Sequence, residues 1–362
     1  MNHSTSKLLL ACTGALLLLT SCGNSSSAAS TSMFSSASSQ SYLDKYGYDF
    51  FAKDKVPNEW VAEVTNKGTV ETLTYSTHSY ALEAALKEEV TLEKSLNVYL
   101  PYGYSQEKKY DVVYLLHGTE GEGDPENMAN YWLGEGSNKA ATTLKVLDYM
   151  FHSNKCKDLI IVTPTYYSRV EGKVPTAEQY AALKQELGET SSEWEKDPEQ
   201  TLWTRFFGQE LVNDIIPLVE SEYSTHLVND DHEGIVATRD HRAYAGLSRG
   251  SMTSVNSIMM KHMDCFSYIG SFSGIWADFE AFKKAMETTW ANYPVKYWYN
   301  GNGTADFSLE DHVTFKDNVL SKMSDRFVDG QNYAWVNIKG AAHAYGNWVV
   351  QMHNSLLVFF NK

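Results

Sequence analysis

Short, almost continuously apolar runs recur along the chain and predict the strands of a buried sheet. The run at 112–116 reads VVYLL, and the run at 158–164 reads DLIIVTP. Strands that are covered on both faces of a parallel sheet have this character, because neither face meets water. Four later segments carry the same signal and are predicted as further strands: 243–247, 266–272, 295–301 and 333–338.

Stretches with helical spacing lie between these runs. Residues 204–223 read TRFFGQELVNDIIPLVESEY, and a stripe of apolar residues that we interpret as core packing follows later: Met252, Val255, Met259 and Met263. Because strands alternate with helices, the pattern predicts an α/β fold with a mostly parallel central sheet and helices on both faces. Two earlier segments are predicted as antiparallel strands at one edge of that sheet: 69–77 and 94–101.

The first 22 residues have the pattern of an export signal. Lys7 precedes an apolar stretch, 8–19, that is short for a membrane span, and the signal ends in Leu-Thr-Ser-Cys at Cys22. This ending resembles the lipobox of bacterial lipoproteins, in which the cysteine is lipidated. The alternative is an ordinary secretory signal with a chance cysteine. We expect residues 1–22 to be a lipoprotein signal, with the protein anchored to a membrane by lipid alone, outside the cytoplasm.

A serine-rich segment at 23–42 follows the signal and contains almost no residue that could enter a core. Such a segment cannot offset its own ordering entropy, so it is predicted to be a flexible tether. Residues 43–362 are predicted to form one catalytic domain. A polar stretch at 168–200 looks like an insertion in it, either a wall or lid of a ligand site or a solvated surface excursion.

Charge and cysteine content exclude some classes of function. The formal net charge of -15 argues against a nucleic-acid partner, since phosphate binding needs a basic surface. Cys156 and Cys265 could form the one disulfide of the exported domain, but each directly precedes a predicted core strand. We expect buried free thiols.

Candidate chemistry begins at residues 246–250, which read Gly-Leu-Ser-Arg-Gly. The pattern G-x-S-x-G is typical of a sharp turn from strand to helix that exposes the serine hydroxyl. Taken alone, it is weak evidence, because a pattern with three fixed positions recurs by chance and also occurs in ordinary Gly-Ser loops. The context favours a nucleophile, Ser248, because a strand precedes it and a helical pattern follows.

A serine nucleophile needs a base and a group that orients the base. In the α/β-hydrolase order the acid follows the serine and the histidine comes last. Asp306 follows the predicted strand at 295–301, and His343 follows the last one. Glu310 and Asp311 compete for the role of the acid, but both fall near a helix N-terminus, where the helix dipole explains carboxylates.

An oxyanion hole would complete this chemistry. The backbone amide of Arg249 is the first expected donor, and the second is Thr119 or Glu120 in the glycine-rich loop HGTEGEG at 117–123. His117 is expected to hold that loop by a hydrogen bond. No zinc-binding spacing or nucleotide loop is found, and the polar run at 229–233 is interpreted as solvated, so neither metal nor cofactor is expected.

Aromatic residues follow several predicted strands and are candidates for binding substrate. They are Trp132, Trp276 and Trp348. Aromatic faces suit a planar acyl ring or a sugar ring. For each residue alone, core packing is at least as good an interpretation.

These motifs together resemble a known family. The segments KSLNVYLPYGYSQEKKYDVVYLLHG, IIVTPTYY, ELVNDIIPLVESEYST, HRAYAGLSRGSM, GTADF and AAHAYGNW match, in order and spacing, the feruloyl and acetylxylan esterases of carbohydrate esterase family one, within the larger esterase-D-like set. The resemblance covers roughly residues 65–362. It implies an α/β-hydrolase fold, a triad of Ser248, Asp306 and His343, and an oxyanion hole at Thr119 and Arg249.

Two departures from the family concern the substrate. The family usually has methionine after the serine, where this chain has Arg249, and the insertion at 168–200 is long. The resemblance implies a serine esterase that removes feruloyl or related acyl groups from plant cell-wall polysaccharide. An acetylxylan esterase and a small-molecule acyl esterase are alternatives within the fold, and a carbohydrate-binding lipoprotein is the alternative outside enzymes.

Overall fold

In a computed structural model, the protein is described at residue 50 and over 55–119, 128–134, 137–190 and 192–360. All of these residues lie within one compact unit, Ser35–Lys362. The predicted signal, Cys22 and the predicted tether at 23–42 lie outside the described residues. Within the described ranges, no helix combines the length and apolar character that crossing a membrane requires.

An eight-stranded sheet forms the centre of the domain, in the spatial order β1-β2-β4-β3-β5-β6-β7-β8. The pairs β1/β2 and β2/β4 are antiparallel, and all other pairs are parallel. The mostly parallel sheet and the antiparallel edge are therefore confirmed. The strands are β1 Thr69–His78, β2 Thr91–Leu100, β3 Asp111–Leu116, β4 Leu159–Thr163, β5 Arg242–Leu247, β6 Tyr268–Phe272, β7 Tyr297–Ala305 and β8 Tyr333–Ala342.

Helices pack around the sheet. They are α1 Tyr80–Leu86, α2 Asn130–Leu133, α3 Asn138–His152, α4 Ala177–Glu186, α5 Ser192–Lys196, α6 Pro198–Glu210, α7 Ile216–Glu222, α8 His232–Ala237, α9 Arg249–Thr253, α10 Phe279–Glu287, α11 Leu309–Lys322 and α12 Tyr345–Val358. Short 3-10 turns lie at Asn58–Val61, Arg239–His241 and Met263–Cys265, and π turns at Leu211–Ile215 and Ser254–Met259.

The central strands are fully buried, which explains their apolar runs. Every residue of β3, β4, β5 and β6 is buried. At roughly 25 cal/mol per Å² of apolar surface removed from water, such strands drive the folding of the domain. Their carboxyl ends lie along one edge of the sheet, because the strands run parallel.

The long helix before β5 begins earlier than the predicted residue 204. Asp197 caps α6 by accepting a hydrogen bond from the backbone N–H of Gln200, and Pro198 occupies the first helical position. A π turn at Leu211–Ile215 ends two residues before Pro217, whose ring blocks the regular helical hydrogen bond. The helical course therefore continues into α7.

The insertion at 168–200 folds into short helices rather than loop alone. Thr176 and Gln179 form a capping box at the start of α4, and α5 follows it. The insertion ends in the first turn of α6, which carries it to the carboxyl edge of the sheet.

Both cysteines of the domain are buried and unbridged, as expected from their positions. Burial raises the pKa of the Cys156 thiol to about 12. The thiol therefore stays protonated and unreactive near neutral pH.

Candidate active site

Ser248 occupies a sharp turn between β5 and α9. Its φ of +51° is rare for a residue with a side chain, and backbone strain of this kind is common at functional sites. Glycine is required on both sides of it. A Cβ on Gly246 would lie 2.6 Å from the carbonyl of Gly250, and one on Gly250 would lie 2.6 Å from the carbonyl oxygen of His117.

The structure brings Ser248, His343 and Asp306 together. Each follows the end of a parallel strand, β5, β8 and β7 respectively, so their side chains meet at one sheet edge. The Oγ of Ser248 lies 3.0 Å from Nε2 of His343. Nδ1 of His343 donates to Oδ1 of Asp306 across 2.8 Å. Nε2 is therefore the nitrogen that can accept the serine proton.

Asp306 is held as a carboxylate. Burial alone would raise its pKa, but hydrogen bonds from His343 and Ser308 and the nearby Ser273 hydroxyl outweigh burial and lower the pKa. The backbone N–H and the hydroxyl of Ser308 both donate to Oδ1, at 2.9 and 2.7 Å. A carboxylate with this many donors keeps its charge and fixes the tautomer of His343.

Two aromatic rings flank His343. The Trp348 ring packs edge-on against it, with centroids 5.0 Å apart, and the Trp348 indole donates to the Ser273 hydroxyl across 2.8 Å. The Phe307 ring lies 4.2 Å from the imidazole, centroid to centroid, and is 73% exposed. Trp348 therefore holds the base in place, while Phe307 faces incoming ligands.

A cavity of about 490 Å³ opens above the nucleophile. Its described lining combines the triad serine and histidine with aromatic, apolar and charged side chains: Thr119, Lys196, Ser248, Arg249, Met252, Trp276, Phe307, Asp311 and His343. The size suits a small acyl group with part of a sugar.

The expected oxyanion residues border this cavity on two sides of Ser248. Thr119 follows β3, and Arg249 is the first residue of α9. The loop after β3 passes so close to the nucleophile that a Cβ on Gly118 would lie 2.8 Å from Cβ of Ser248. The alternative donor, Glu120, lies outside the described residues.

His117 holds the oxyanion loop, as expected from its position. Its Nδ1 donates to the carbonyl of Gly118 across 2.7 Å, and its Nε2 accepts from the Thr165 hydroxyl at 2.9 Å. Burial lowers the pKa of His117 to about 3, so the ring is neutral near neutral pH.

The three candidate tryptophans have different positions. Trp276 lines the cavity, and its indole donates to Asp311 across 2.8 Å. Trp132 is 1% exposed, packs against the rings of Tyr131 and Tyr345, and is not among the described residues that line this cavity. Trp348 is also buried, and its role is the support of His343 described above. Local pattern alone did not separate these three environments.

Three cavity residues were missed from the sequence: Lys196, Met252 and Phe307. Met252 belongs to the stripe interpreted as core packing, yet it lines the cavity, since it lies one helical turn after Ser248. That spacing of four was the available signal. Lys196 comes from the insertion, which favours the wall over the surface excursion. Asp197 beside it lies 3.1 Å from the Arg249 guanidinium.

Two groups of metal-ligating side chains lie elsewhere within the described ranges. In the first, His241 lies 2.6 Å from Asp111, and the His226 and His241 rings stack in parallel with centroids 3.5 Å apart.

The second group joins His232, from the polar run at 229–233, to Asp264 at 2.9 Å, with Cys265 nearby. Burial raises the pKa of the Cys265 thiol, which weakens it as a ligand.

Comparisons with known proteins address the family and the fold of this chain. Residues 87–358 match a family model whose description reads "Putative esterase". Endo-1,4-beta-xylanase Y of Acetivibrio thermocellus is 32% identical over 181 residues, which are 50% of this chain and only 13% of that protein. The chain therefore spans a small part of the length of this curated relative.

Solved structures share the fold. A mutant of the feruloyl esterase module from Clostridium thermocellum, complexed with sinapinate, aligns with a TM-score of 0.61 and 24% identity, covering 85% of this chain and 93% of that one. A ferulic acid esterase from the anaerobic fungus Anaeromyces mucronatus aligns with a TM-score of 0.57 and 20% identity, covering 85% and 97%. The α/β-hydrolase fold is thereby established.

Proposed function

The chain belongs to the esterase family, and from that premise we propose that it is a serine carboxylic-ester hydrolase that removes feruloyl or related acyl groups from plant cell-wall polysaccharide. One observation carries the proposal: the Ser248 hydroxyl, the His343 imidazole and the Asp306 carboxylate form a continuous hydrogen-bonded relay. A binding protein has no use for such a relay beneath a cavity.

The chemistry follows from the relay. Ser248 attacks the ester carbonyl as Nε2 of His343 takes its proton, and the tetrahedral oxyanion is stabilised by the backbone N–H groups of Thr119 and Arg249. The ester C–O bond then breaks, and the imidazolium gives its proton to the departing sugar oxygen, which leaves as a hydroxyl. Water repeats the sequence on the acyl-enzyme and releases the carboxylic acid. Asp306 stabilises the imidazolium throughout.

The acyl group is proposed from the cavity and from similar proteins. Trp276 and Phe307 offer aromatic surface beside the nucleophile, which suits a planar aromatic acid. The related solved structures are named feruloyl and ferulic acid esterases, and the curated relative is a xylanase. Acetylated xylan and small soluble esters are the alternative substrates.

Substitution of the triad tests the reaction. Ser248→Ala and His343→Ala should each lower kcat for methyl ferulate by about 10⁴- to 10⁶-fold, and the double variant should lose no more than either alone, because the residues act as one unit. Full activity of Ser248→Ala would refute the proposal. A fluorophosphonate label that fails to react with the wild-type protein would favour the carbohydrate-binding alternative.

A substrate panel tests the acyl group. Methyl ferulate, acetylated xylan and p-nitrophenyl acetate are compared by kcat/KM on the soluble domain. We expect methyl ferulate to exceed simple acetate esters of similar reactivity. A preference for acetylated xylan would make the protein an acetylxylan esterase.

We also propose that lipid on Cys22 anchors the protein to a membrane, facing outside the cytoplasm. The lipobox-like ending of the signal and the serine-rich tether after it support this proposal. Cys22→Ala should release the protein into the soluble fraction of fractionated cells. An unchanged membrane fraction would contradict the anchor.

A further inference from the structure

A chain of side chains joins the two oxyanion residues. The Thr119 hydroxyl donates to Oε1 of Gln200 across 3.2 Å. Nε2 of Gln200 donates to Oδ2 of Asp197 across 2.8 Å, and the same oxygen accepts from the Arg249 guanidinium at 3.1 Å. Thr119 and Arg249 come from different elements, and the hydrogen-bonded side chains of Gln200 and Asp197 connect them. We call Gln200 and Asp197 the bridge.

The orientation of the Gln200 amide is determined by its neighbours. A carboxylate such as Asp197 can only accept, so the amide nitrogen must face it and the amide oxygen must face the opposite way. That oxygen accepts from the hydroxyls of Tyr166 and Tyr167, at 3.0 and 3.3 Å, as well as from Thr119. The Tyr166 side chain is fully buried, so its hydroxyl holds the Gln200 amide oxygen in a fixed place.

The Asp197 end is anchored by the start of α6. Its Oδ1 caps the helix by accepting the backbone N–H of Gln200 across 3.1 Å. The Arg249 guanidinium is largely buried and also donates to the Thr201 hydroxyl at 3.3 Å, so the first turn of α6 holds it at two points. A largely buried, charge-assisted contact of this kind is stronger than an exposed one.

We propose that Gln200 and Asp197 are positioning residues that set the spacing between the backbone N–H groups of Thr119 and Arg249. Each donor belongs to the backbone of a residue whose side chain the bridge holds. Donors of this kind work only when both lie within hydrogen-bond distance of the developing oxyanion. The proposal rests on the esterase function and adds a role for the end of the insertion, whose last residues form the bridge.

The test breaks the bridge at two points and leaves the donors in place. Gln200→Met and Arg249→Met keep chain length and the backbone N–H groups but remove the polar contacts. With p-nitrophenyl acetate, each should lower kcat about tenfold, a fraction of the loss of a whole donor, and leave KM within about twofold. Because the links are in series, the double variant should lose no more than either single variant.

Glu199→Gln is the matched control. Glu199 neighbours Gln200 on α6, but it pairs at the surface with Arg169 at 2.9 Å and does not touch the bridge. Its kcat should equal that of the wild type. Thr119→Val removes the hydroxyl and keeps the backbone N–H, so its kcat should fall as far as that of Gln200→Met.

A second readout separates positioning from general support of the fold. A trifluoromethyl ketone, which forms an oxyanion on Ser248, should bind about tenfold more weakly to Gln200→Met, while the affinity for the product acid stays unchanged. A lower melting temperature with an unchanged ratio of these affinities would overturn the proposal, as would independent, additive losses. Failure of the wild type on methyl ferulate alone would overturn the feruloyl substrate and leave the bridge standing. Failure to react with fluorophosphonate would overturn the esterase function itself.

Discussion

Gly118 provides a direct test of the oxyanion loop. In the variant Gly118→Ala, the new Cβ would lie 2.5 Å from Cδ1 of Leu247, 2.8 Å from Cβ of Ser248 and 3.2 Å from the Leu247 carbonyl oxygen. Gly118 is not among the glycines with positive φ, so the conflict is steric rather than conformational. The added methyl group meets the backbone turn that carries the nucleophile.

The size of the effect follows from these distances. Carbon atoms pack at about 3.5 to 4.0 Å, so the loop must retreat by about 1 Å. Leu247 is 1% exposed and cannot yield easily. A misplacement of about 1 Å in a catalytic group costs about 100-fold in rate, or about 2.7 kcal/mol of barrier. The crowding should also lower the free energy of unfolding by about 1 to 3 kcal/mol.

The assay measures kcat and KM for p-nitrophenyl acetate beside thermal unfolding. Gly346→Ala is the control, because a Cβ there has no neighbour within 4 Å, and it should keep both activity and stability. We expect Gly118→Ala to be folded at the assay temperature with kcat about 100-fold lower. A folded Gly118→Ala variant with wild-type kcat would refute the placement of this loop at the oxyanion.

Other predictions address the acid, the pocket and the response to pH. Asp306→Asn should lower kcat by about 10⁴-fold, by analogy with other triads. Asp311→Asn should change mainly KM, because Asp311 contacts Trp276 instead of His343. If steady-state kinetics gave the larger loss of kcat to Asp311→Asn, Asp311 would be the triad acid. Trp276→Ala should lower kcat/KM for methyl ferulate more than for p-nitrophenyl acetate, and Trp348→Phe should lower both alike; equal losses for Trp276→Ala would make it a structural residue. Burial lowers the pKa of His353 to about 3. Between pH 6.5 and 3 the unfolded chain therefore binds a proton at this residue that the folded chain does not. The free energy of unfolding falls with pH over this range, by about 1.4 kcal/mol per pH unit. His353→Asn should remove that part of the slope in urea unfolding from pH 6.5 to 4.5, and an unchanged slope would contradict the assignment.

Much of the fold could be predicted from the chain alone, because strand burial is recorded locally. The run at 112–116 lies wholly within β3, and the run at 243–247 lies within β5. A strand buried on both faces must be apolar at every position, so the residue types of the segment are enough to recognise it. The same reasoning explains why the triad could be proposed. Parallel strands end at one edge, and chain order alone then assigns residues to that edge.

The contents of the cavity could not be predicted in this way. Trp276 and Trp348 follow strand ends and Trp132 follows the glycine-rich loop, but only the packing of other elements decides which of them faces the cavity. Apolar periodicity reports that a side chain is shielded from water, and it does not identify the neighbour that shields it. Met252 shows the same limit, since its helical spacing suits both a core and a cavity wall.

Local sequence patterns and tertiary packing therefore determine different features of this protein. The sequence by itself determined the strands, their alternation with helices and the order of serine, acid and histidine, since each depends on neighbours within one element or on chain order. Only the tertiary structure decided that the insertion reaches the nucleophile and that Gln200 and Asp197 join Thr119 to Arg249. These contacts span 52 to 81 residues of chain. Their existence depends on the relative placement of separate elements, which the packing of the whole core sets and no local pattern encodes.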